Sequence, residues 1–87
     1  MRAREIVKEL IPQKGYNNAD FARRLGIEPT TLWDRLNNKK IRDIPTSLLR
    51  EMLEPLGYKL LIVPSETPLP TDSFEISDTE NKEVIEP

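Results

Sequence analysis

Four residues in the middle of this chain, Gly26-Ile27-Glu28-Pro29, restrict its fold more than any others. Glycine takes the left-handed backbone that closes a helix. Proline fits the first position of the next helix, where its missing N–H has no partner to lose. Apolar residues at helical spacing stand on both sides: Phe21, Ala22 and Leu25 before the bend, Leu32 and Leu36 after it. Ile27, inside the bend, is apolar and is expected to tuck into the core. The chain must therefore turn sharply between two short helices.

Similar punctuation divides the rest of the body. Ile6, Val7, Leu10 and Ile11 form one apolar stripe on a first helix. Pro12 lacks an N–H and clashes with the preceding turn, so that helix should stop or kink near Ile11, before Gly15. Asn17 is a good N-cap for the second helix, with Asp20 near the positive end of its dipole. Polar Asn37-Asn38-Lys39-Lys40 ends the third helix. Pro45 starts a fourth, with Leu48, Leu49, Met52, Leu53 and Leu56 inside, and Pro55 and Gly57 end it. Residues 58–63 are apolar and β-branched and read as one short strand, ended by Pro64. The expected fold is mainly α: four to five helices, then one short C-terminal β-strand. No internal repeat is present.

A lone strand leaves an apolar edge unpaired. Pairing with its copy across a two-fold axis would close that edge, with Tyr58, Leu60 and Ile62 in the dimer strand. The plainer alternative is an extended segment packed on the helices. A body of this size buries only about 60% of its unfolded surface and gains from a partner.

Charge separates the body from the C-terminal tail. The chain of 87 residues carries 13 basic and 15 acidic side chains, a net of −2. Residues 1–64 hold 12 basic and 8 acidic groups, a net of +4, whereas residues 65–87 hold Lys82 against seven acids, a net of −6. The acidic, proline-containing tail is expected to be flexible and solvated. Alternatively it folds onto a partner, with Leu69, Phe74, Ile76, Val84 and Ile85 as anchors.

Several chemistries are excluded by residue type. There is no cysteine and no histidine, so disulfides, Cys/His zinc sites, Cys nucleophiles and Ser-His-Asp triads are out. The three glycines are isolated, so no loop cradles phosphate. No enzyme activity, cofactor or metal is expected. No apolar run reaches the roughly 20 residues of a membrane helix, and the basic start is not followed by a signal-peptide core. A cytoplasmic location is the expectation.

The stretch from Asn17 to Lys39, with Ala22, Gly26, Ile27 and Leu32 at its key positions, resembles the phage repressor/Cro (XRE, Cro/C1) type of helix–turn–helix. The flanking helices and the strand fall in that family's order, so the resemblance covers residues 1–64. It implies a double-stranded DNA-binding protein whose third helix, about residues 29–37, enters the major groove. By matching positions, Pro29, Thr30, Trp33, Asp34 and Asn37 are the candidates for base contacts. Asn18, Arg23, Thr31, Arg35, Asn38, Lys39, Lys40 and Arg42 are the candidates for phosphate contacts, with Arg24 beside them. Each has a plainer alternative: Trp33 lying over the domain's own surface, Asp34 in a surface ion pair, Asn37 as a helix cap, and the bases as ordinary solvated charges.

The chain departs from the family in three places. Asn18 stands where the family usually has a longer Gln. Glu28 replaces the usual Ser or Thr cap before the third helix and adds negative charge near DNA. Asn38 replaces a favoured Gly, and Asn tolerates the left-handed conformation. The expected function is a homodimeric, sequence-specific transcriptional regulator of repressor type. Two alternatives are an antitoxin of HipB-like layout whose tail binds a toxin, and a protein-interaction module on the same fold.

Overall fold

The computed structural model describes residues 1–38, 40 and 43–77. It is mainly helical. The order is α1 (Ala3–Gln13), α2 (Asn18–Leu25), α3 (Pro29–Asn37) and α4 (Thr46–Leu53), followed by a 3-10 turn at Glu54–Leu56. Helix α1 packs against α3 and α4, and α2 packs against α3. No helix among the described residues is long and apolar enough to cross a membrane.

The core forms where the apolar stripes converge. Ile6, Val7, Leu10 and Ile11 of α1 are buried with Phe21 and Ala22 of α2, Leu32 and Leu36 of α3, and Leu49, Met52 and Leu53 of α4. Leu56 joins them from the 3-10 turn and Ile44 from the loop before α4. Leu48 is half-buried at the margin. Tyr16 meets buried Phe21 edge-on, with ring centroids 5.2 Å apart, a favoured aromatic geometry.

Helix α1 ends near Ile11 and before Gly15, as expected, but it includes Pro12 and closes at Gln13. A proline removes only its own N–H bond and crowds the turn before it, so in the last turn no further helical bonds depend on it. The helix then closes through Tyr16 N–H to Ile11 O at 3.1 Å. Pro45 is the N-cap residue of α4 rather than its first helical residue.

A carboxylate from far along the chain caps α1. Asp43 accepts from the N–H groups of Ala3 at 2.6 Å and Arg4 at 2.8 Å, two donors that a helix start leaves without partners. It also accepts from Ile44 N–H at 2.9 Å. Arg4 is 7% exposed. Its guanidinium donates to the Asn38 carbonyl at 2.8 Å and lies 3.8 Å from the Asp43 carboxylate. These two side chains join the start of α1 to the end of α3 and the loop that leads into α4.

Residues 58–63 make no strand pairing among the described residues. A ladder needs a second strand, and the described chain supplies none. Tyr58 and Leu60 pack against the core. Leu61 and Ile62 are 67% and 99% exposed. The chain then turns twice, at Pro64–Thr67 and Pro70–Ser73, and comes back over the body. Phe74 lies on Tyr58 with ring centroids 5.9 Å apart, the Tyr58 hydroxyl donates to Asp72 O at 3.1 Å, and Ser77 N–H donates to Met1 O at 2.8 Å. Lys14 stands 5.5 Å from the Tyr58 ring centroid, on its face. Leu69 and Ile76 are exposed. Val84 and Ile85, and residues 78–87 generally, lie outside the described residues.

Two variants test these joints. Asp43→Ala strips the cap from α1 and a charged partner from Arg4, and is expected to cost about 2–3 kcal/mol. It should appear as a lower urea midpoint at unchanged slope; a midpoint within error of the parent would contradict the capping role. Phe74→Ala removes a half-buried ring and is expected to cost about 1–2 kcal/mol in the same measurement.

Candidate nucleic-acid interface

The bend between α2 and α3 sets the geometry of the surface. Asn17 caps α2, its Oδ1 accepting from Asp20 N–H at 2.7 Å. Gly26 ends the helix at φ 76°, in the left-handed region. Ile27 N–H reaches back to Ala22 O at 3.0 Å and Gly26 N–H to Arg23 O at 3.1 Å, which satisfies carbonyls the helix end would otherwise leave open. Ala22 is fully buried, and its small side chain lets α2 and α3 approach. Pro29 is the first residue of α3. Glu28 precedes it as N-cap without a side-chain hydrogen bond, so its carboxylate contributes through charge at the positive helix end. Asn18 Nδ2 donates to Pro29 O at 3.3 Å, a direct tie between the first turns of the two helices.

Helix α3 has two unlike sides. Leu32 and Leu36 are buried against α1 and α2 and fix its rotation. Pro29, Thr30, Thr31, Trp33 and Asp34 are exposed, and Arg35 and Asn37 are half-buried. Thr30, Trp33, Asp34 and Asn37 occur at i, i+3, i+4 and i+7, the spacing that puts residues on one helix face. Trp33 is 57% exposed. Thr30, Thr31, Trp33 and Asp34 line a shallow, open depression.

Several of the polar groups have protein partners. Asn37 Nδ2 donates to Trp33 O at 3.0 Å, one turn back, so its amide is partly committed to the helix. Asn38, the C-cap residue, has an extended backbone at φ −74° and ψ 112°. The left-handed conformation expected of it is therefore not used. Its Oδ1 instead accepts from Lys40 N–H at 2.9 Å, an Asx-type turn that makes a left-handed residue unnecessary. Its Nδ2 lies 3.5 Å from Asp34 Oδ1.

Of the basic candidates, Arg23 pairs with Asp20 Oδ1 at 2.8 Å, both side chains largely exposed. Such a surface pair contributes little to stability and opens readily. Arg24 and Lys40 are exposed. Lys39 and Arg42 lie outside the described residues. Of the proposed dimer-strand residues, Tyr58 and Leu60 face their own core and Ile62 faces outward.

Sequence reasoning missed Arg4, which donates to the Asn38 carbonyl after α3, and Asp43, which accepts from the Arg4 backbone N–H. No local signal marks them. Arg4 stands in an ordinary amphipathic helix, and its partners are 34 and 39 positions away.

A Cβ added at Gly26 would meet nothing within 4 Å, so the whole cost of replacing it is backbone strain. Gly26→Ala is expected to cost about 1–2 kcal/mol, and Gly26→Asn less, because Asn visits the left-handed region more readily. Thermal unfolding of the two variants checks the order.

No protein-family model, no curated protein and no solved structure matches this chain.

Proposed function

We propose that this protein is a sequence-specific, double-stranded DNA-binding regulator of repressor type, acting as a homodimer. One observation carries the reading. Thr30, Trp33 and Asp34 are exposed on one face of α3 with half-buried Asn37 at its end, while Leu32 and Leu36 are buried on the opposite side and the Gly26 bend joins α3 to α2. A helix of this width fits the B-DNA major groove, and the face opposite its anchored side is the one that meets base edges. The body's net of +4 on residues 1–64 favours the duplex electrostatically. Arg24, Arg35 and Lys40, with Lys39 and Arg42 by sequence, are the phosphate contacts in this reading. Arg23 joins them when its exposed pair with Asp20 opens.

Two features favour a dimer. One protomer presents one α3, while successive major-groove faces on the same side of a duplex lie about 34 Å apart. Two half-sites need two copies. In addition, Leu61, Ile62 and Val63 form an exposed apolar run directly after the core-packed Tyr58 and Leu60. Residues 58–63 pair with their copy in this reading, with Ile62 at the contact and Tyr58 and Leu60 anchoring the strand to its own body.

Two measurements test the proposal. The Lys39→Ala/Lys40→Ala variant should lose affinity for all duplexes alike, and its salt slope should be shallower by about 1–2. Thr30→Ala should change sequence preference with little change in slope. A wild-type chain that binds no duplex at low salt would overturn the reading. For the dimer, Ile62→Glu should sediment as a monomer where wild type sediments as a dimer; a monomeric wild type would remove the strand-pairing part.

A further inference from the structure

We infer that Trp33 and Asp34 together read cytosine on its major-groove edge, and read 5-methylcytosine better than cytosine. This inference rests on the duplex-binding reading above and names the base that the reading selects.

The outward face of α3 is distinguished first by what it lacks. Pro29, Thr30, Trp33, Asp34 and Asn37 include no basic side chain, so the commonest specific contact, Arg or Lys on guanine, has no donor here. The amide of Asn37 is partly used on Trp33 O at 3.0 Å. The one charged group on this stripe is the carboxylate of Asp34, which only accepts hydrogen bonds when ionised. Its Oδ1 lies 3.5 Å from Asn38 Nδ2, a long contact that a better-placed donor displaces.

An acceptor-only group sorts the four bases sharply. Guanine presents two acceptors in the major groove, and thymine presents the O4 acceptor. Adenine presents a donor beside the N7 acceptor. Cytosine presents the N4 amine with no acceptor next to it. Asp34 therefore favours cytosine and repels guanine and thymine.

Trp33 supplies the second half. It lines the same depression as Asp34, Thr30 and Thr31, and its ring is 57% exposed. On cytosine, the carbon next to the amine-bearing one is C5. A carboxylate that holds the amine leaves C5 at the rim of the contact, and the Trp33 ring, lining the same depression, is the apolar group this inference assigns to it. A methyl group at C5 then gains apolar burial. Thymine carries the same methyl but presents an oxygen where Asp34 requires an amine, so it is the natural control.

The test uses the full chain, a random-duplex selection, and labelled duplexes measured by anisotropy. Selection with wild type should return cytosine at one position of each half-site. Replacing that cytosine by 5-methylcytosine should tighten binding about three- to fivefold, the worth of one buried methyl. Thymine there should bind about tenfold or more weakly than cytosine. Asp34→Asn should move the preference from cytosine toward adenine, since an amide pairs with N6 and N7. Trp33→Ala should keep the cytosine preference and lose the methyl gain. Trp33 is the chain's one tryptophan, so its emission should also change on saturation with the selected duplex. If duplexes bind but Asp34→Asn returns the same selected base as wild type, the cytosine reader is wrong while DNA binding stands. If 5-methylcytosine and cytosine bind alike, or Trp33 emission is unmoved at saturation, the methyl contact is wrong. If wild type binds no duplex, both readings fall.

Discussion

A carboxylate that belongs to none of the helices joins the start of α1 to the residue that follows α3, through Arg4. Asp43 closes the start of α1 with two hydrogen bonds and shares the neighbourhood of the Arg4 guanidinium, which in turn holds the carbonyl at the end of α3. Apolar packing sets the distance between helices, but it is not directional. Leu32 and Leu36 set which side of α3 faces the core. The hydrogen bond from Arg4 to the Asn38 carbonyl adds a directional tie at the end of the helix. This joint ties three separate parts of the chain at one point, which apolar packing alone does not do.

Much of the fold is legible in the sequence because its signals are local. The Asn17 cap, the Gly26 closure and the start of α3 at Pro29 each depend on residues within one helical turn, and each stands where sequence reasoning places it. The buried faces of the helices come from apolar spacing in the same way. What is not legible is what other parts of the chain decide. Pro12 reads as a helix breaker, yet at a helix end it breaks nothing. Asn38 suits the left-handed region, yet its side chain finds Lys40 N–H and the backbone stays extended. The ring contact of Phe74 with Tyr58 and the Asp43 cap join residues far apart in sequence. The candidate site is legible as a set of outward positions. Its partners, such as Arg23 with Asp20 and Asn37 with Trp33, are not.

The charge of the chain also looks different once it is placed. A net of −2 suggests a poor ligand for a polyanion. The acids that produce it are concentrated after residue 64. Of the described part of that segment, Asp72 and Ser73 sit beside Tyr58, and Ser77 sits beside Met1, on the side of α1 and the 3-10 turn. The α3 stripe is covered by none of these contacts. Total charge is thus a weak guide when acidic and basic groups are segregated along the chain.

The return of Ser77 to Met1 makes the described chain close to a ring, with its joining bond between residues 76 positions apart. A contact with that separation encloses nearly the whole described chain, so it carries the closure entropy of a long loop. Its entropic cost rises only logarithmically with the enclosed length, so it remains tolerable once the helices have collapsed. Tyr58 and Met1, which receive this segment, both lie outside α1 to α4, so the hydrogen bonds within the helices are made without it.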